Sequence, residues 1–191
     1  MVFRATRTSA TATIALILAL ANIASARTTG GVTLPDSVRV DSERLLLNGL
    51  ATYRVLGFKV LVAGLYLPAA EHDARLVLSA DESRRYVSHF VRDVSAKKIR
   101  GVWRKGLREN TPHASEEVQR QFQVLYGWLE DMRAGEEIVF SYRPGFGSVV
   151  EVGGRTVGTL PGKAVADAYF AMALGPRPAC GEEFKRRLLG S

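Results

Sequence analysis

The sequence predicts an α+β fold, with a large antiparallel sheet packed against a layer of helices. Two observations carry this. Segments with the two-residue period of strands come in groups, and so do segments with the 3.6-residue period of helices, so the elements do not alternate as parallel βαβ units do. Gly153-Gly154 also stands between two strand-like runs, a strong signal for a two-residue hairpin turn.

In chain order, residues 28–33 read as a polar, Gly-containing lead-in. Residues 38–40 and 45–47 read as short strands around a polar turn at Asp41-Ser42-Glu43. Residues 57–67 form a long strand candidate ended by Pro68. Residues 84–91 alternate, with Tyr86, Ser88 and Phe90 on one side and Val87, His89 and Val91 on the other. Residues 138–142 are a further strand, and 148–152 with 155–160 form the hairpin. A short helix is expected around residues 75–78. Ser95 is placed to cap a helix over 96–109, whose apolar stripe is Ile99, Val102, Trp103, Gly106 and Leu107. Ser115 is placed to cap the next, with Glu116 and Glu117 in its first turn and a stripe running from Val118 to Met132. Helices over 163–174, stopped by Gly175-Pro176, and over 182–189 complete the chain.

Residues 1–26 read as a signal peptide. Arg4 and Arg7 precede an apolar run from Ile14 to Ile23, and Ala24-Ser25-Ala26 supplies small residues for a cut after Ala26. The run is about half of the ~20 residues a spanning helix needs, and no later segment is long and apolar enough. A periplasmic or secreted protein without a transmembrane segment after cleavage is therefore expected, with one domain over residues 27–191. Removing the two signal arginines from 26 basic residues leaves 24 against 19 acidic, a net +5. The basic residues are scattered among acids rather than gathered on a coherent face, so no nucleic-acid partner is expected. Cys180 is the single cysteine. It lies in a turn-like stretch with no nearby His to activate it, so it reads as incidental rather than catalytic.

The three His residues, 72, 89 and 113, match no metal-ligand spacing. The chain has no GxSxG elbow, no HExxH and no glycine-rich phosphate loop opening a helix. No metal and no cofactor are expected.

Three blocks carry a resemblance. Leu47-Asn48-Gly49 with GFKVLVAGLYLP (57–68), DVSAKKIRGVWRKGLRENTP (93–112) and VGGRTVGTLPGKAVADAYFAMALGPRPACGEEFKRRLLG (152–190) occur in this order. Together they resemble chalcone isomerase-like proteins, especially bacterial exported members, over nearly the whole chain from about Val38. The resemblance implies an open-faced β-sandwich with a ligand cleft between a large antiparallel sheet and a helical layer. Plant enzymes of the family cyclise a chalcone to a flavanone, an arginine stabilising the developing negative oxygen. Other members bind fatty acids, with arginine receiving the carboxylate.

Carried onto this chain, the arginine's neighbourhood is LNGLATYRVLGFK, which makes Arg54 the candidate. In the bacterial relatives it falls one place earlier, on Tyr53, and adjacent strand residues face opposite sides. Arg54 is thus the catalytic candidate of an enzyme reading, and an exposed strand residue otherwise. The family's first threonine falls on Leu61, its tyrosine on Trp103, its asparagine on Asn110 and its second threonine on Met172. Lys97 or Lys98 corresponds to a substrate-side lysine. Leu61, Trp103 and Met172 turn a hydroxyl-lined site into an apolar one. Trp103 and Met172 also fit simple core roles, and Asn110 a helix-end role. Lys59 is the charge within the long apolar strand. By strand alternation it shares a face with Leu61 and reaches the cleft mouth, or else it runs out to solvent at the strand end.

The sequence reading is a protein that binds a small lipophilic or amphipathic anion, fatty-acid-like, in an apolar cleft formed by Arg54, Lys59, Leu61, Trp103, Asn110 and Met172. An isomerase or intramolecular lyase acting on an enone, and a non-catalytic envelope scaffold, are the alternatives.

Overall fold

A computed structural model describes residues 25–191. The expected signal peptide lies outside the described residues except for Ser25 and Ala26. Seven strands form one antiparallel meander in chain order: β3 (Ser37–Val40), β4 (Glu43–Val55), β5 (Phe58–Leu67), β6 (Arg84–Phe90), β7 (Glu137–Arg143), β8 (Gly147–Val152) and β9 (Arg155–Leu160). Five helices accompany them: α1 (Ala74–Ser79), α2 (Ala96–Asn110), α3 (Glu116–Gly127), α4 (Lys163–Leu174) and α5 (Glu182–Leu188). The α+β class is as the sequence predicts. The β8–β9 turn at Gly153-Gly154 has φ of 57° and 77°, the left-handed pair that only glycine adopts freely.

The sheet is buried on both faces. Ala63, Leu65, Tyr86, Phe90, Ile138, Phe140 and Val150 face the helices and form the main core with Phe122, Leu125, Phe170 and Phe184. Leu45, Leu47, Val62, Tyr66, Val87 and Val139 face the other way and form a second, smaller core. That second face is covered by a hairpin of β1 (Ala26–Thr29) and β2 (Val32–Pro35), which inserts Val32 and Leu34. The lead-in predicted over residues 28–33 is therefore part of this hairpin. Its strand pattern was too short to register beside Gly30-Gly31. Gly64 makes room for it, since a side chain there would collide with Leu34. The Tyr66 hydroxyl donates to the Pro35 carbonyl at 3.0 Å.

Three further departures from the sequence reading have local causes. β4 runs for thirteen residues, well beyond 45–47, because Asn48 forms a bulge that lets a strand continue through Asn-Gly. Asn48 Nδ2 donates to the Glu71 and Leu188 carbonyls at 2.9 and 3.0 Å, and its Oδ1 accepts from the Glu71 amide. Gly49 beside it lets the last carbonyls of α5 approach, where any Cβ would clash. α3 ends at Gly127, so Leu129 and Met132 are buried from an irregular segment that bridges Val94. Ser95 makes no side-chain cap. Asp131 of that same segment accepts from the Ala96 amide at 2.8 Å and caps α2 from a distance in sequence.

Arg84 is buried in the core with its guanidinium over the Tyr142 and Phe170 rings. It is neutralised by Asp167 at 2.7 Å, which also holds Lys163 at 2.6 Å. This cluster fixes α4 against β6. Among the described residues no helix is long and apolar enough to cross a membrane.

Candidate functional site

Two central residues, Leu56 and Gly57, join β4 to β5, and both have positive φ, 49° and 81°. This hairpin forms one lip of a cavity. Just inside the turn the ladder slips. Tyr53 pairs with Leu61 and Arg54 with Lys59, which leaves Val60 as the extra residue of a β-bulge. The slip reverses the alternation of β5. Leu61 and Val60 face the helices, and Lys59 faces the β1–β2 hairpin, where its Nζ donates to the Gly30 carbonyl at 3.1 Å. Tyr53 turns inward with Leu61, and Arg54 turns away to donate to the Gly57 carbonyl at 3.2 Å.

The cavity lies between the sheet and α2 and α4 and has a volume of about 740 Å³. This falls in the range of small-molecule sites, about 300–1,000 Å³. Its sheet wall is Tyr53, Leu61, Tyr86, Ser88 and Phe90, its helix wall is Ile99, Trp103, Tyr169 and Met172, and Cys180 joins them from the loop between α4 and α5. The aromatic side chains hold one another. Tyr169 stacks on Phe140 at 3.8 Å, and Trp103 meets Tyr169 edge-on at 5.3 Å. Tyr53 packs edge-on against Phe184 of α5 at 6.2 Å. Gly106 lets α2 close on Met172.

The electrostatics divide the cavity in two. Burial pushes up the ionisation of Tyr53, Tyr86 and Tyr169, and raises the Cys180 thiol to about 12. These groups are neutral at physiological pH. The charges stand at the mouth: Arg92, Lys98, Lys105 and Asp93, all exposed. Arg92 lies 5.0 Å over the Phe58 ring, Lys105 is 4.0 Å from Glu109, and Asp93 accepts from the Ala134 amide at 3.0 Å. Leu56 at the tip holds a left-handed backbone that costs a non-glycine residue roughly 1–2 kcal/mol.

Of the six residues singled out from the sequence, the structure brings three together: Leu61, Trp103 and Met172 all line the cavity. Lys59 and Arg54 are corrected to the opposite face: the Val60 bulge takes Lys59 off the side of Leu61, and ordinary strand alternation turns Arg54 away from the inward Tyr53. Asn110 is corrected to a helix-end role. It donates to the Gly106 and Arg177 carbonyls, accepts from the Arg177 amide, and ties the end of α2 to the loop after α4. Cys180 lies in a turn, as the sequence suggests, and that turn forms part of the cavity wall. Two signals in the sequence could have found more. Tyr86, Ser88 and Phe90 alternate on one side of their strand. Lys98, Gly101, Val102 and Lys105 have i, i+3, i+4, i+7 spacing and so share one side of α2, next to the buried stripe.

A sheet closed on one side by helices, with an apolar cavity between the layers, matches a known family. The family model described as chalcone isomerase-like matches residues 26–190. The chain belongs to the chalcone isomerase-like family. Among solved structures, this chalcone isomerase-like protein is similar to a fatty-acid binding protein of Arabidopsis thaliana, with a TM-score of 0.68 and 16% identity over 86% of this chain and 96% of that one. No curated protein matches it by sequence. Among the described residues no group of His, Cys, Asp and Glu could hold a metal ion.

Proposed function

We propose that this chalcone isomerase-like protein binds a small amphipathic anion of the fatty-acid kind outside the cytoplasm, without isomerising it. The observation that carries the reading is an apolar cavity whose charged groups stand at its mouth, three of the four being cations. A carboxylate drawn deep into this cavity would lose its water and meet no cation, which is costly. At the mouth it meets Lys98, Arg92 and Lys105 while the tail lies between Leu61, Phe90, Trp103 and Met172. The similar Arabidopsis fold being a fatty-acid binding protein supports the same class of ligand.

The absence of an isomerase step is supported by Tyr53. It takes the inward position expected of the family's arginine, and its burial favours the neutral phenol. A neutral phenol stabilises a developing oxyanion far less than a guanidinium does. Export is supported by the signal-like residues 1–26. A cut after Ala26 keeps Arg27–Thr29 paired with Val32–Leu34.

Calorimetric titration with straight-chain fatty acids of increasing length tests the reading. Each methylene buried contributes about 0.8 kcal/mol, so affinity should rise roughly fourfold per carbon until the cavity is full. Affinity independent of length, or no binding at any length, would sink it.

A further inference from the structure

The mouth of the cavity is also an unusually apolar piece of exposed surface. Val55, Leu56, Phe58 and Val102 are four of the large exposed apolar side chains among the described residues, and all four line it. Leu56 is 93% exposed and Phe58 59%. The Leu56 position, with φ of 49°, is one where Asn or Gly sits with little strain. A leucine there strains the turn, and its side chain gains nothing from the fold because it lies in solvent. Strain that the fold does not use points to a role outside it.

Cations surround this tip. Arg54 stands on the hairpin itself, Arg92 flanks Phe58, and Lys98 and Lys105 project from the facing part of α2, all exposed. The acids nearby, Asp93 and Glu109, are held by the Ala134 amide and by Lys105. An exposed apolar tip ringed by lysine and arginine is complementary to an anionic bilayer. The apolar side chains enter the acyl boundary while the cations meet the phosphates.

We propose that the β4–β5 hairpin tip docks on anionic phospholipid membranes, so that the cavity opens onto the bilayer and a lipophilic ligand passes between them without crossing water. The passage rests on the ligand-binding reading. The docking does not.

Flotation of the full chain with phosphatidylcholine vesicles, with and without phosphatidylglycerol, tests this. The native protein should float with the phosphatidylglycerol vesicles and be released by high salt, since the contacts to phosphate are exposed to screening. Leu56→Asn should weaken vesicle binding on the order of tenfold, the loss of one buried leucine. Its thermal midpoint should be equal or higher, because Asn suits the turn. Arg54→Glu should weaken vesicle binding several-fold and leave fatty-acid affinity in solution unchanged. A native chain that ignores the phosphatidylglycerol vesicles overturns the proposal, as does a Leu56→Asn variant that binds them as tightly as the native chain. Docking without fatty-acid uptake in solution would leave this inference standing and remove the pocket reading. Uptake without docking would do the reverse.

Discussion

Tyr53 stands opposite Leu61 across the β4–β5 ladder, and both side chains line the cavity. The next pair inward to the turn is Arg54 with Lys59, one residue out of step. Both of those cations are carried to the other side of the sheet. Ordinary alternation turns Arg54 away from Tyr53, and one extra residue, Val60, turns Lys59 away from Leu61, so the cavity is apolar within and cationic only at its rim.

That division predicts which lysines and arginines matter. Arg54→Ala and Lys59→Ala should change fatty-acid affinity by less than about twofold, whereas Lys98→Ala or Arg92→Ala should weaken it by roughly two- to fivefold at low ionic strength, the range of an exposed ion pair. Displacement of a fluorescent fatty acid at low and high salt measures this. The rim effects should fade as salt rises. A larger loss in Arg54→Ala than in Lys98→Ala would show that the register has been misread.

The protein should be labile to alkali. All six tyrosines have a raised pKa, burial being the first cause in each, with Tyr66 and Tyr142 at about 12 against an ordinary 10.0. The Cys180 thiol is raised to about 12 from 9.0. These groups are neutral when protonated, so the unfolded chain gives up protons first as pH rises. Stability present below pH about 9 should be lost progressively between about 9 and 12. Urea midpoints across this range, followed beside tyrosinate absorbance, measure it. Tyrosines that titrate near 10 in the folded protein would contradict the burial assigned to them.

Much of the fold was legible in the sequence, and less of the site. The β8–β9 hairpin showed itself because Gly153-Gly154 needs left-handed backbone at both positions. The Tyr86, Ser88 and Phe90 alternation gave the correct inward face of β6. Alternation failed at Lys59 because a bulge is a property of two paired strands and leaves little mark on either alone. The cap on α2 comes from Asp131, thirty-five residues away, and no local pattern announces it. The place of Cys180 on the cavity wall was not legible, because Tyr53 and Tyr86, which share that cavity, lie far off in sequence.

The buried charge cluster should be a weak point of the fold. Asp167→Ala would leave the Arg84 guanidinium, 1% exposed, without its counter-charge. The expected cost is about 3 kcal/mol, the lower end for breaking a buried pair. Equilibrium urea denaturation measures it. A loss below about 1 kcal/mol would mean that the Val77 carbonyl and the two aromatic rings satisfy Arg84 by themselves.

The central claim is that the cavity holds a lipophilic anion, and native mass spectrometry tests it most directly. The protein would be purified without detergent from the cells that make it. A discrete added mass, of fatty-acid class and absent from an Ala173→Phe variant whose new ring fills the cavity, is the predicted result. A clean unliganded mass that stays so after incubation with fatty acids would contradict the account.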